Sequence, residues 1–387
     1  MNRVFLLIID GLGVGAQEDA HLYGDDGANT LGHVCETSGC NLPNFEKLGI
    51  GNITELKGIK SVDQPIACWG KMREVSAGKD STTGHWEIAG IHLETPFPTH
   101  PNGFPDDVIR LFCEKTGNKA VLCNRPYSGT DVIADFGEEH MKTGYPIVYN
   151  SADSVFQVAC HVDVTSIETL YKWCETARNE VLIGDHTVGR VIARPFSGKP
   201  GDFERVSDQR HDFSMVPPEP NMLSELQKNG ITTCSIGKVI DLFAGHGFDQ
   251  FRRTKSNDEG IAQLLNLMSA EVPKSFVFTN LIDTDQVYGH RQDPMGFARC
   301  MEDIDRALPA ILRKLKEDDL LIITGDHGND PADDSTDHTR EFVPLLVITG
   351  DQKTGKALGT RNTFSDIAVS VLDAFGLDIT LPGESFL

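Results

Sequence analysis

The sequence contains no hydrophobic run long enough to cross a membrane. The longest run near its start, residues 4–9, is far shorter than the roughly 20 apolar residues that span a bilayer. No basic segment leads into a longer apolar stretch and a small-residue cleavage site, the combination that marks a secretory signal. These absences predict a cytoplasmic protein that does not bind membranes.

The nine cysteines lack the spacing of a zinc site or of a disulfide framework. None belongs to a C-x-x-C pair, and the two closest, Cys35 and Cys40, are separated by four residues. Dispersed thiols in an odd number are typical of a reducing compartment, where they fill cores as small apolar side chains.

Basic residues are scarce. The chain has 35 Lys and Arg against 57 Asp and Glu, which gives a net charge of −22. A field of this sign repels phosphate backbones and argues against nucleic-acid binding. We expect small-molecule ligands and no obligate protein partner. If those ligands are anionic, the site must contain metal ions or a local cluster of basic side chains.

The apolar segments that are present predict an α/β fold. Residues 4–9, 275–282, 320–324 and 342–349 are continuous apolar runs, which indicate strands covered on both faces. Between the second and third runs, residues 294–316 carry apolar side chains at helical spacing, so that strand, helix and strand form a βαβ unit.

The middle of the chain has a different character. Between about Pro96 and Pro218 it is rich in proline and glycine and has shorter apolar segments. Its length of 387 residues also favours two domains. We predict a core built from residues 1–95 and 219–387, with a smaller α+β domain, residues 96–218, inserted in it.

Acidic residues follow three of the predicted strands. Asp10 follows the first, Asp283 and Asp285 follow the second, and Asp326 follows the third. Parallel sheets bind ligands beyond the carboxyl ends of their strands, and a carboxylate cluster there repels itself unless cations neutralise it. Three histidines lie near these acids, namely His290, His327 and His338. Any one of these acids could simply cap a helix, but together the residues favour a site for two ions such as Zn²⁺ or Mn²⁺.

Residues 78–87 contain three consecutive hydroxyl side chains, Ser81, Thr82 and Thr83, between two glycines. Such a segment can place a nucleophile at a strand-to-helix turn, where two metal ions would lower the pKa of its hydroxyl. Taken alone, the segment fits an ordinary helix N-cap better.

A dinucleotide site is the main rival interpretation. Residues 11–16 fit the pattern G-x-G-x-x-A after a predicted strand. However, Asp10 would place a carboxylate against the pyrophosphate, and residues 17–34 contain no second strand that ends in a ribose-binding acid.

Several motifs occur in order almost from end to end: IIDG at 8–11, GD at 24–25, ANTLGH at 28–33, GKD at 78–80, GHWEI at 84–88, SADS at 151–154, GRVIARPF at 189–196, RHD at 210–212, DHG at 326–328 and DHTRE at 337–341. In these motifs the sequence resembles the bacterial phosphopentomutases of the alkaline phosphatase superfamily. The resemblance implies an alkaline-phosphatase-like α/β core with a central, mostly parallel sheet flanked by helices, and an inserted cap domain.

The resemblance also implies two groups of Mn²⁺ ligands. One group consists of Asp285, His290 and His338, and the other of Asp10, Asp326 and His327. Asp283 lies outside both groups.

By the same resemblance, the phosphorylated hydroxyl follows the Lys-Asp pair and corresponds to Ser81, where the family usually has threonine. The related cofactor-independent phosphoglycerate mutases resemble this site with a serine. The substrate's far phosphate would be bound by Arg190, Arg210, His211 and Lys238, and the ribose by Ser151 and Asp153.

The activity implied is the interconversion of α-D-ribose 1-phosphate, or its 2-deoxy form, with the 5-phosphate. It would proceed through phosphoserine and a 1,5-bisphosphate, with two Mn²⁺ ions and a sugar bisphosphate as activator. The alternatives are another two-metal phosphatase or phosphomutase of the superfamily and, from a different class, a dinucleotide-dependent oxidoreductase.

Overall fold

The computed structural model describes residues 1–151, 154–270, 273–351 and 354–387. It divides into two compact units. The core unit consists of Met1–Thr95 and Pro217–Leu387, and the inserted unit of Pro96–Val216. In the described part of the chain, no helix has the length and apolar character needed to cross a bilayer.

Fourteen β-strands lie within the described residues. They are β1 (Arg3–Ile9), β2 (Cys68–Met72), β3 (Leu122–Pro126), β4 (Ile147–Asn150), β5 (Val155–His161), β6 (Arg190–Lys199), β7 (Asp202–Arg205), β8 (His211–Ser214), β9 (Thr232–Ile236), β10 (Gln250–Arg252), β11 (Ser275–Leu281), β12 (Asp319–Thr324), β13 (Val343–Thr349) and β14 (Ala357–Arg361).

The same ranges contain eleven α-helices. They are α1 (Thr30–Ser38), α2 (Pro43–Leu48), α3 (Ser81–Ile88), α4 (Asp106–Thr116), α5 (Asp131–Thr143), α6 (Ile167–Thr176), α7 (Met222–Lys228), α8 (Val239–Leu242), α9 (Asn257–Ser269), α10 (Pro294–Lys314) and α11 (Asp366–Ala374).

The core unit is built on an eight-stranded sheet in the order β10-β9-β11-β1-β12-β13-β2-β14. Only β13 runs against its neighbours, and the other pairings in this sheet are parallel. Every residue of β1, β11 and β12 is buried, because helices cover both faces of the sheet. The predicted α/β class with a mostly parallel central sheet is therefore confirmed.

The helix predicted between the second and third apolar runs is α10. Asp293 caps it by accepting a hydrogen bond from the Gly296 amide, and Pro294 occupies its first turn. Its apolar face, which includes Phe297, Ile304 and Ile311, packs into the main core cluster with Leu7 of β1 and Leu321 of β12.

The glycine-rich turn after β1 does not begin a helix. The first α-helix of the chain, α1, starts only at Thr30, and residues 11–16 form a loop without helical hydrogen bonds. A Cβ atom on Gly13 would lie 2.2 Å from the Glu341 carboxylate, so a buried acid occupies the space beside this turn. The strand–turn–helix geometry of a dinucleotide site is missing here.

The inserted unit contains a six-stranded mixed sheet. Its strands follow the order β3-β4-β5-β6-β7, and β8 pairs with β6. One face, which includes Val158 and Val191, packs with apolar residues of α4 and α6. The other face, which includes Tyr149 and Phe196, packs with Val132 and Ile133 of α5.

Candidate active site

The strand-end acids converge because β1 lies between β11 and β12. Ile9 pairs with Leu281 of β11, and Ile8 pairs with Thr324 of β12, so the three strands end at nearly the same level. This register places Asp10, Asp285 and Asp326 at one edge of the sheet, where all three are buried.

Two groups of side chains at this edge have the composition of metal sites. Asp10, Asp326 and His327 each offer a ligand atom within 4.8 Å of the others, and so do Asp285, His327 and His338. His327 therefore belongs to both groups in this structure, whereas the resemblance assigned it to one. Carboxylate oxygen and imidazole nitrogen together suit Mn²⁺ or Zn²⁺.

His290 lies beside the group formed by Asp285, His327 and His338. Its Nε2 atom is 3.5 Å from Asp285 Oδ2, and its ring centroid is 4.8 Å from that of His338. The Nδ1 atom contacts the Thr336 carbonyl at 2.7 Å, which fixes the ring orientation and leaves Nε2 towards Asp285. Asp283, in contrast, accepts a hydrogen bond from the Asn257 amide.

Two buried oxygens at this edge fit bound cations. Asp10 Oδ1 and Asp326 Oδ2 are inaccessible to solvent and have no hydrogen-bond donor. A buried carboxylate oxygen without a donor is costly unless the group is protonated or binds a cation. The residues present therefore fit a pair of divalent ions.

The electrostatics of the cluster agree with this fit. Burial and the neighbouring charge of Asp326 raise the pKa of Asp10 to about 6, although Lys238 acts in the opposite direction. Burial also disfavours ionised Asp285, but His338 and Lys238 lower its pKa to about 2. For His327, burial is outweighed by the surrounding carboxylates, led by Asp326, so its pKa is raised. The mutual repulsion among the acids is what a cation would relieve.

Ser81 is the first residue of α3, and its hydroxyl lies at the same edge. Its Oγ atom is 3.1 Å from His327 Nε2 and accepts a hydrogen bond of 3.0 Å from Lys238 Nζ. Lys238 Nζ also lies 2.7 Å from Asp10 Oδ2. The Ser81 hydroxyl is thus in contact with both metal groups through His327.

The neighbouring hydroxyl residues have other surroundings. Asp80 is the N-cap of α3, and its carboxylate accepts hydrogen bonds from the Thr82 and Thr83 amides. The Thr83 hydroxyl donates to the same carboxylate at 2.5 Å. Gly84 lets the helix approach β12 closely, because a Cβ atom there would lie 2.0 Å from the Asp326 carbonyl oxygen.

Three functional side chains at this edge were not predicted from the sequence. Asn280 donates from Nδ2 to Asp10 Oδ2 at 2.8 Å, and His85 Nδ1 lies 3.1 Å from Asp326 Oδ2. Asn329 donates to Asp285 Oδ1 at 2.7 Å. The only available signal for Asn280 was an amide side chain near the end of a mostly apolar, buried strand.

The inserted unit contains most of the residues expected to bind substrate. Arg210 forms two hydrogen bonds of 2.8 Å to Asp212, and Arg190 Nη1 lies 3.5 Å from the same carboxylate. His211 is exposed, and its ring is tilted against that of Tyr171 with the centroids 5.3 Å apart. Ser151 is half-buried directly after β4, and Asp153 lies outside the described residues. Lys238 belongs to the core unit, at the metal groups.

A second basic cluster in the inserted unit was missed at the sequence level. The Tyr149 hydroxyl is buried without a hydrogen-bond partner. A Cβ atom on Gly129 would lie 3.1 Å from this hydroxyl, 3.7 Å from Arg205 Nη1 and 3.9 Å from Arg194 Nη1. Burial lowers the pKa of Arg194, and the charge of Arg210 lowers it further. Converging guanidinium groups and an unpaired hydroxyl are suited to an oxyanion such as phosphate.

The chain is similar to known proteins over its whole length. Residues 2–379 match the metalloenzyme superfamily. The phosphopentomutase of Caldanaerobacter subterraneus subsp. tengcongensis is 52% identical over 387 residues, which cover 100% of this chain and 98% of that protein. The phosphopentomutase of Carboxydothermus hydrogenoformans is 50% identical with the same coverage.

Two solved structures share the fold. A phosphoglycerate mutase of Leishmania mexicana, studied at low cobalt concentration, has a TM-score of 0.52 and 12% identity, with 99% of this chain and 97% of that chain covered. The PH0037 protein of Pyrococcus horikoshii has a TM-score of 0.50 and 16% identity, with 99% of each chain covered.

Proposed function

The chain belongs to the phosphopentomutase family of metal-dependent phosphomutases, and from this we propose that it interconverts α-D-ribose 1-phosphate, or its 2-deoxy form, with the corresponding 5-phosphate. The family resemblance seen in the sequence motifs is confirmed. The observation that best supports a phosphoserine mechanism is the position of Ser81 Oγ, within hydrogen-bond distance of both His327 Nε2 and Lys238 Nζ.

In the proposed cycle, Ser81 carries a phosphoryl group in the resting enzyme. The free hydroxyl of the sugar monophosphate attacks the phosphorus atom, the bond from phosphorus to Ser81 Oγ breaks, and the hydroxyl proton is transferred to Oγ. The resulting 1,5-bisphosphate then returns its other phosphoryl group to Ser81 Oγ and leaves as the isomeric monophosphate. No phosphate is consumed, and a sugar bisphosphate restores any enzyme that has lost its phosphoryl group.

The side chains around Ser81 have separate tasks in this cycle. Lys238 donates to Oγ and thereby stabilises the negative charge that develops there as the phosphoryl group departs. Asn280 orients the carboxylate of Asp10, and its amide nitrogen also lies 2.9 Å from His85 Nε2.

We propose two Mn²⁺ ions as the resident metals. One would be held by Asp10, Asp326 and His327, and the other by Asp285, His338 and His290. When bound, such ions neutralise the charge of the phosphoryl group during transfer.

The basic residues of the inserted unit would bind the phosphate that does not react. Asp212 already neutralises part of the charge of Arg190 and Arg210. The guanidinium groups of Arg194 and Arg205 and the Tyr149 hydroxyl lie close to Gly129 and would add an anion-binding surface. This arrangement favours a substrate that carries a second phosphate, as the bisphosphate intermediate does, over one that carries only the phosphate that reacts.

The direct test of this function is the isomerisation of ribose 1-phosphate by Mn²⁺-loaded protein. Purified protein is incubated with ribose 1,5-bisphosphate, its intact mass is measured, and the phosphorylated peptide is identified. We expect one phosphoryl group per chain and conversion to ribose 5-phosphate without release of inorganic phosphate. Release of inorganic phosphate without isomerisation would favour the alternative, a two-metal phosphatase.

Replacement of Arg190 by alanine separates substrate binding from metal binding. A lost charge-assisted contact is worth about 1.5–3 kcal/mol, so we expect kcat/KM of the mutase reaction to fall by about one to two orders of magnitude. Mn²⁺ content should stay unchanged, because Arg190 lies in the inserted unit and the metal groups lie in the core unit. Lys199→Ala, at an exposed position of the same strand, is the control. Unchanged mutase kinetics in Arg190→Ala would contradict the proposed phosphate contact.

We also propose a cytoplasmic location. All nine cysteines are free thiols, and six of them are buried. This pattern suits a reducing compartment.

A further inference from the structure

Three sequence motifs have no role in the chemistry described above. They are Gly24-Asp25, Gly78-Lys79 and the Arg340-Glu341 pair that follows His338. In the structure, one residue or more of each motif joins a single hydrogen-bonded network in the core unit, formed by Asp25, Gly78, Lys79 and Arg340, and the buried side chain of Arg340 is at its centre.

All five N–H groups of the Arg340 guanidinium have acceptors. Nη1 donates to the carbonyl oxygens of Ser76 at 2.8 Å and Gly78 at 2.7 Å. Nη2 donates to the Glu74 carbonyl at 2.8 Å and to Asp19 at 3.0 Å, and Nε also donates to Asp19. Three of these acceptors are main-chain groups of residues 74–78, the segment that leads into Asp80 and Ser81.

A second connection joins the same two segments through Asp25. The Arg340 amide donates to Asp25 Oδ2 at 2.8 Å, and Lys79 Nζ donates to Asp25 Oδ1 at 2.9 Å. Lys79 also lies 3.5 Å from the carboxylate of Asp337, the residue before His338. The position of Lys79 is therefore tied to the segment that carries a metal ligand.

Tyr23 completes the network from a third side. Its ring lies under the Arg340 guanidinium at 5.0 Å, and its hydroxyl accepts a hydrogen bond from the Gly78 amide at 3.3 Å. Gly78 has a φ of +145°, and a Cβ atom there would lie 2.8 Å from Thr83 Oγ1. The N–H and C=O groups of Gly78 are thus bound by Tyr23 and Arg340, and the residue has a backbone conformation that suits only glycine.

We propose that Arg340 is a positioning residue, which fixes the place of Ser81 Oγ relative to the metal ligands of the 337–341 segment. Among the described residues, its side chain forms no hydrogen bond or ion pair with the proposed metal ligands. Its side chain binds the Gly78 carbonyl, and its amide shares the Asp25 carboxylate with Lys79. Because Arg340 comes two residues after His338, these bonds connect the segment before Ser81 to the segment that carries His338. This inference rests on the proposed role of Ser81 as the phosphorylated nucleophile.

Phosphoryl transfer is sensitive to such positioning, because a shift of about 1 Å in a reacting atom can reduce the rate about 100-fold. Lysine cannot replace arginine in this network. Its ammonium has three donors on a flexible stem, whereas the guanidinium presents five in a fixed plane. Arg340→Lys retains the charge opposite Glu74 and Asp19 but, with three donors in place of five, must lose at least two of these five hydrogen bonds.

The experiment measures the rate at which Ser81 accepts phosphate from ribose 1,5-bisphosphate in Mn²⁺-loaded wild-type and Arg340→Lys protein, well below the Tm of both. We expect this rate and kcat to fall by about tenfold or more, with the KM for ribose 1-phosphate and the Mn²⁺ content unchanged. Arg253→Lys is the matched control, because Arg253 forms an exposed ion pair with Asp241 in the same unit.

Tyr23→Phe is the second variant, because it removes only the hydroxyl that accepts from Gly78 and should fold normally. We expect it to slow phosphorylation about threefold, with its Tm nearly unchanged. Wild-type phosphorylation rates in both variants would overturn the inference while leaving Ser81 as the nucleophile. Loss of Mn²⁺ in proportion to rate in Arg340→Lys, with Tyr23→Phe unaffected, would also overturn it, since Arg340 would then only support the fold. Phosphate on a residue other than Ser81 in the wild-type protein would reject the proposed mechanism together with this inference.

Discussion

Replacement of Ser81 by alanine is expected to abolish mutase turnover and to prevent the protein from accepting phosphate. The reason is geometric: Ser81 Oγ is the side-chain hydroxyl of the 81–83 segment that contacts both His327 and Lys238. Removal of a nucleophile in covalent catalysis typically leaves only residual activity, lower by several orders of magnitude. Intact mass and peptide mapping after incubation with ribose 1,5-bisphosphate measure the phosphate directly.

Ser81→Thr is the informative companion, because the family usually has threonine at the corresponding position. Ser81 is half-buried, and threonine keeps the oxygen while its extra methyl group restricts the side-chain rotamers. We expect this variant to be phosphorylated on residue 81 and to retain activity within about tenfold of the wild type.

Thr82→Ala and Thr83→Val test the neighbouring hydroxyls. Thr83 Oγ1 is engaged with the Asp80 carboxylate, so its removal should reduce the stability of the α3 N-terminus by about 1 kcal/mol while leaving a phosphorylatable enzyme. Phosphate found on Thr82 or Thr83 in the wild-type protein would refute the assignment of Ser81, although the two metal groups would be unaffected by that result.

The strands that could be predicted well from the sequence are those in which every residue is buried. β1, β11 and β12 are buried along their whole length, so an unbroken apolar run was sufficient evidence for each. The direction of β13 could not be predicted in this way, because a buried antiparallel strand within a mixed sheet has the same apolar composition as a parallel one.

The acids and histidines of the site could be predicted because each follows a strand or a recognisable motif. Asn280 and Asn329 could not, since their roles depend on which strands are neighbours and on the register between β1 and β11. The cluster of Tyr149, Arg194 and Arg205 was missed for a related reason. These residues lie on three different strands, and only the pairing in the inserted sheet brings them towards Gly129.

Asp10→Asn is expected to eliminate turnover, to weaken Mn²⁺ binding and to stabilise the metal-free protein near neutral pH. In the metal-free protein, Asp10 is buried beside Asp326 and Asp285, with Lys238 and His327 as the nearby positive groups. Burial and the neighbouring acids raise its pKa from 3.8 to about 6. Between these two pH values, Asp10 is therefore protonated in the folded state and ionised in the unfolded state. The free energy of unfolding of the metal-free protein consequently falls as the pH rises from about 4 to 6.

An asparagine at this position does not titrate. We therefore expect the difference in free energy of unfolding, metal-free Asp10→Asn minus metal-free wild type, to increase by about 1–2 kcal/mol between pH 5 and pH 7. Above pH 7 this difference should stay constant. Any cost of the buried amide is the same at each pH and does not affect this comparison. Urea denaturation of chelator-treated protein at several pH values measures it.

Mn²⁺ should reverse the order of stability. A ligand at about 100 times its Kd stabilises the folded protein by about 2.7 kcal/mol, and the wild type should gain this while Asp10→Asn gains much less. Metal analysis should give close to two Mn²⁺ per wild-type chain and fewer in the variant. Asp334→Asn, an exposed acid of the loop between Asp326 and His338, serves as the control and should retain both the Mn²⁺ content and the gain in stability. The unpartnered oxygens of Asp10 and Asp326 are the structural basis for a metal at this edge. Equal Mn²⁺ binding by Asp10→Asn would therefore show that Asp10 is not a metal ligand, and full turnover by exhaustively chelated wild type would show that the reaction needs no metal ion.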